Sequence, residues 1–167
     1  MKTKLFNLTI VALILGVFWN YFTLHRPITE VLIDPETAKQ IEIRVHYQWL
    51  FNVNNIVLDL RRVSPEIKAA RMTRLLVDVS KQLRNKSFSY LVLAYDGDSK
   101  FMLDGRYVRD LADSPQSLLS VMSTMPPKVL NLEGNPVFKG ASYSGLSIAE
   151  ELDDVDQFHS LWYGGSR

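Results

Sequence analysis

Twenty consecutive residues, Leu5 to Leu24 (LFNLTIVALILGVFWNYFTL), carry no charge, and Lys2 and Lys4 stand directly before them. A helix rises about 1.5 Å per residue, so such a stretch reaches about 30 Å, the depth of a bilayer's hydrocarbon core. It ends in Phe18, Trp19, Tyr21 and Phe22, without the small residues that a signal-peptide cleavage site needs. Aromatic side chains at that position match an interfacial belt. Residues 1–26 are therefore expected to form an uncleaved signal anchor, a single transmembrane helix. Residues 27–167 are expected to form one domain beyond it. Lys2 and Lys4 favour a cytoplasmic N-terminus, with Arg26 weakening the asymmetry. The domain is then expected to face the periplasm or the cell exterior, as in a single-pass inner-membrane protein.

The remaining 140 or so residues are enough for one core without metal or disulfide staples. Hydrophobic residues make up 47% of the chain and charged residues 22%, which argues against wholesale disorder. Taking Lys2, Lys4 and Arg26 from the 19 basic residues leaves 16 against 18 acidic ones, so the domain sits near −2. It lacks the basic excess of a nucleic-acid binder. With no cysteine, disulfides, thiol catalysis and Cys-ligated metals are excluded.

Hydrophobic periodicity gives the elements. Ile28–Ile33 is a short apolar run ended by Asp34-Pro35 and reads as β-structure. Ile41, Ile43, Val45 and Tyr47 alternate with polar residues, the mark of a half-buried strand. Asn52–Asn55 reads as a polar break before a strand at Ile56–Leu60. Ser64 as cap and Pro65 at the first position predict a helix to about Arg84, with Ala69, Met72, Leu76, Val79 and Leu83 on one face. Five basic residues, Arg61, Arg62, Lys68, Arg71 and Arg74, cluster around its start and read as a solvated face or an anion patch. A strand at 88–94, a turn at Asp96-Gly97 and a strand at 100–103 form a hairpin. The 56–61 strand, the helix and the 88–94 strand have the spacing of a parallel crossover. Short helices are expected at 107–112 and from Ser114-Pro115 to Met122. Residues 126–146 read as a long irregular loop, and 131–146 as the preferred interaction region. Ser147–Glu150 is a capping box opening a last helix to Tyr163, with Ile148, Leu152, Val155, His159 and Trp162 as its stripe and Phe158 and Leu161 widening it. The fold class is α+β: a mainly antiparallel sheet covered by helices 64–84 and 147–163, preceded by the transmembrane helix.

Chemical motifs are sparse. Gly140–Gly145 lacks the glycine at 144 that a nucleophile elbow requires. Asp153, Asp156 and His159 share one helix flank and are the candidates for a ligand, metal or acid–base site, but no second cluster supports them. Asp96, Asp98 and Asp104 lack EF-hand spacing. No phosphate-binding glycine loop or HExxH is present, so no cofactor and no metal is expected.

The segment NLEGNPVFKGASYSGLSIAEELDDVDQFHSLWY, with LAYDGDSKFMLDGRYVRDL before it, resembles a family of small, uncharacterised bacterial envelope-type proteins. Members end in an aspartate-Phe…Phe-His…Trp-Tyr helix after a Gly-containing loop. The matching positions are Asp156, Phe158, His159, Trp162 and Tyr163. The chain departs from the pattern at Tyr143-Ser144-Gly145, where a Trp-Thr-Gly-Gly-like stretch is expected. The resemblance covers about half the chain and implies a bacterial origin and no known activity. The expectation is a non-enzymatic, membrane-anchored envelope protein that binds a protein partner through Asn131, Phe138, Tyr143 and Trp162. The alternative is a tethered enzyme or small-ligand binder using Asp153, Asp156 and His159.

Overall fold

The computed structural model describes residues 2–32, 39–49, 52–113, 117–138 and 148–164, with side chains from Ile10 to Glu30 in the first segment and from Asp153 in the last. The chain is α+β around a five-stranded mixed sheet in the order β1-β2-β3-β4-β5. Strand β1 (Ile41–Gln48) pairs antiparallel with β2 (Asn52–Val63), and β2 pairs parallel with β3 (Tyr90–Tyr95). Strands β4 (Asp98–Asp104) and β5 (Val129–Leu130) then continue antiparallel.

Before the sheet come helix α1 (Lys2–Asn20), a π-helical turn (Tyr21–His25) and helix α2 (Arg26–Leu32). Helix α3 (Ala69–Leu83) bridges the parallel pair β2 and β3, as the crossover spacing predicts. Helices α4 (Gly105–Asp113), α5 (Leu118–Thr124) and α6 (Ile148–His159) follow, and α6 runs into a second π-helical segment (Ser160–Gly164). Among the described residues, no helix is long and apolar enough to cross a membrane.

Period-two burial sets the sheet faces. Ile41, Ile43, Val45 and Tyr47 are buried, while Glu42 and Arg44 are exposed. With Ile56, Leu58, Leu60, Leu91, Leu93, Phe101 and Leu103 they form the main core, covered by Met72, Leu76, Val79 and Leu83 of α3 and by Phe158 and Trp162. The intervening Val57, Val92 and Ala94 form a smaller apolar cluster. Asp59 is buried at 3% exposure, and its Oδ1 accepts from Gly97 N–H at 3.0 Å. Arg61 Nε lies 3.0 Å from Asp59 Oδ2 as an ion pair, off the line of a hydrogen bond. The arrangement holds the Asp96-Gly97 turn, whose two positive φ angles (49° and 84°) match the right-handed twist of a two-residue hairpin.

Several boundaries differ from expectation. Residues 28–32 are helical: Ile28 packs in the core, Arg26 Nε pairs with Glu30 at 2.8 Å, and a run this short does not separate strand from helix. Asn52–Asn55 belong to β2 and form no break. Ser64 does not cap α3. Its carbonyl closes a turn with Ile67 N–H at 3.1 Å, and the helix begins after Lys68. The cap of α5 is Ser117, which accepts from Ser120 N–H at 3.2 Å. Within the expected loop, Val129–Leu130 adds a strand to β4. Asp34-Pro35, Ser114-Pro115, Gly140–Gly145 and Ser147 lie outside the described residues. Gly105 has a plain reason: a Cβ there would lie 2.3 Å from the Phe88 carbonyl oxygen.

Candidate functional site

The most distinctive site is the junction of the N-terminal helix with the sheet edge. Strand β1 is an edge strand, and an unpaired row of N–H and C=O groups is a template for unwanted strand pairing. Here the edge is covered by side chains. Tyr47 N–H donates to Asn20 Oδ1 at 2.6 Å, and Val45 N–H donates to His25 Nδ1 at 3.5 Å. Asn20 Nδ2 in turn donates to the Gly16 carbonyl at 3.0 Å, which fixes the amide's orientation.

The π-helical turn makes this possible. A proline ring clashes with the carbonyl four residues back in an α-helix, and Pro27 faces Thr23 in that way. The wider turn, closed by Arg26 N–H to the Tyr21 carbonyl, relieves the clash. It also corrects a drift. Residues spaced by four overshoot an α-helical turn by about 40° each step, yet Asn20, Leu24 and Ile28 all face the domain. Leu24 is fully buried, so the stem helix is part of the core.

A groove of about 440 Å³ runs along this junction, lined by Val17, Tyr21, His25, Arg44 and His46 among others. Neutral imidazole is the form whose Nδ1 can accept from Val45. Replacing Asn20 by Ala should cost about 1–2 kcal/mol by leaving the Tyr47 amide unpaired. Amide hydrogen exchange at Tyr47 should accelerate in the variant; unchanged protection would show that the side chain does not guard the edge.

The sequence-derived sites are dispersed. Phe138 and Trp162 are 6% and 1% exposed, with Phe158 packed against both rings, so neither offers a contact surface in this fold. Asn131 forms a tight turn in which its Oδ1 accepts from Glu133 and Asn135 N–H groups at 3.1 and 2.8 Å. That turn exposes Leu132 at 51%. Tyr143 lies outside the described residues. Asp153 and Asp156 are exposed, whereas His159 is buried with its Nε2 3.2 Å from Thr73 Oγ1. The three therefore do not face one opening, and no group of three or more metal-ligating side chains occurs among the described residues. Of the five basic residues, Arg61 serves the Asp59 network and the Asp96 carboxylate. Lys68, Arg71 and Arg74 line a separate cleft with Gln40 and Glu66.

Burial holds the His159 imidazole down to about 4, from 6.5. The unfolded chain takes up this proton as pH falls through 6.5, while the folded chain resists until about 4. Stability attributable to His159 is thus complete above that window and declines through it, by on the order of 2–3 kcal/mol at its acid end. His159→Gln should flatten the difference between denaturation midpoints measured on either side of the window. An identical pH slope in the variant would remove His159 as its source. No protein-family model, curated protein or solved structure matches the chain.

Proposed function

We propose that this chain is a non-enzymatic envelope protein of a bacterial inner membrane, anchored by Leu5–Leu24, whose domain binds a partner protein in an assembly or accessory role. One observation carries the reading. Ten large apolar side chains between Ile10 and Phe22 are 41–63% exposed and point to all sides of the helix. A helix apolar all round belongs in a core or in lipid, and only Gly16 and Asn20 of this stretch are buried against the domain. The band begins at the first described side chain, and the sequence extends it to Leu5. Lys2 and Lys4 favour a cytoplasmic N-terminus and a periplasmic domain. Among the described residues of the expected interaction region, the turn at Asn131 displays an apolar side chain, Leu132.

The test uses the full chain in bacterial membranes. The chain should resist extraction by alkaline carbonate, as an integral protein does. A photo-crosslinking residue in place of Leu132 should give a discrete protein adduct, and one in place of the exposed Arg106 should not. Release by carbonate would overturn the anchoring, and equal crosslinking at both positions would overturn the partner surface.

A further inference from the structure

We propose that the end of strand β1 is a second membrane contact, with Trp49 seated in the bilayer interface beside the stem helix. The inference rests on the anchoring reading above and adds a surface of the folded domain to it.

The two edge hydrogen bonds fix the geometry. Going from Val45 to Tyr47 along β1 means going back from His25 to Asn20 along the helix. Strand and stem are therefore antiparallel, and β1 runs toward the lipid end of the stem. One further residue of strand, Gln48, carries the chain about 3.4 Å beyond Tyr47, and Trp49 follows it in the turn. Along a helix that distance is about two residues, which sets the end of the strand level with about residue 18 and Trp49 just beyond it. That level lies within the exposed apolar band, beside Phe18 and Trp19.

The end of β1 is built for such a place. Trp49 is 81% exposed, the most exposed large apolar side chain among the described residues. It adopts φ 54°, a region that bulky residues rarely enter and that Gly or Asn would enter at lower cost. The backbone thus accepts strain to hold a large aromatic outward. Val53, on the returning strand, is 52% exposed. From Tyr47 to Leu58 the sequence carries no charge. Immediately below, Arg44 is 56% exposed and lies 4.0 Å from the Glu42 carboxylate, at the height of the helix where lipid headgroups would begin. An amphipathic indole above and a cation beneath is the order in which an interface presents its apolar and phosphate layers.

The absence of cysteine permits a direct test on the full chain. Single cysteines are introduced by Val53→Cys, Leu13→Cys and Arg106→Cys, spin-labelled, and reconstituted in vesicles of mixed phosphatidylcholine and phosphatidylglycerol. Collision with oxygen reports lipid, and collision with a nickel chelate reports water. The label at 53 should be oxygen-dominated like that at 13, while the label at 106 is nickel-dominated. Adding Trp49→Ser should shift position 53 toward water without moving position 13. A water-like label at 53 with a lipid-like label at 13 would overturn the second contact alone. A water-like label at 13 would overturn the anchoring reading, and this inference with it.

Discussion

Replacing Trp162 by Ala should destabilise the domain by about 3–5 kcal/mol, the usual cost of deleting a large buried aromatic. The indole is 1% exposed, its ring lies 5.7 Å from Phe158 in a stacked arrangement, and its Nε1–H donates to the Ala94 carbonyl at 3.1 Å. Truncation therefore opens a cavity under the C-terminal helix and leaves a carbonyl of β3 without its donor. A second variant separates the two losses. Trp162→Phe keeps most of the volume and removes the donor, so it should cost about 1–2 kcal/mol. Urea unfolding of the full chain in mild detergent, followed by near-ultraviolet dichroism, measures both. A normal midpoint for Trp162→Ala would mean that the side chain does not hold α6 to the sheet.

Leu13→Arg should lower membrane retention by about 2.5–3.5 kcal/mol, the insertion cost of arginine at a helix centre. Leu13 lies well inside the exposed apolar band and is itself 46% exposed, so the substitution leaves the domain's core untouched. The fraction of chain left in membranes after alkaline extraction reads the effect. Leu132→Arg serves as control, since Leu132 is comparably exposed (51%) but lies on the domain. Equal retention of the Leu13 variant and the wild type would sink the anchor.

Much of the architecture was legible in the residues. Strict alternation from Ile41 to Tyr47 gave β1 and its core face, and the spacing of two strands around a strongly one-sided helix gave the parallel crossover. Elsewhere tertiary structure overrides the local chemistry. Ser64-Pro65 has the form of a helix start, yet the chain uses it for a turn and begins α3 at Ala69. Ile28 sits in a run too short to reveal its period, and the backbone there is helical from Arg26 to Leu32. Leu161 belongs to the apolar stripe only if the helix stays regular. The π-helical widening at 160–164 leaves it 49% exposed while keeping Trp162 inside. The stem–sheet junction was not readable at all. Asn20 and Tyr47 are 27 positions apart, and nothing in either neighbourhood signals that an asparagine in an apolar run guards a strand edge. The one clue is the polar residue itself, buried where leucine or phenylalanine would suit a plain span.

The same covered edge has a consequence for how this protein can be processed. Proteolytic release ahead of Arg26 would take away Leu24, which is fully buried, together with Asn20 and His25. The liberated domain would carry a gap in its core and two bare backbone amides along β1, an invitation to self-association through strand addition. Under the anchoring proposed above, tether and safeguard are one helix, and shedding from the membrane is coupled to loss of the monomeric fold.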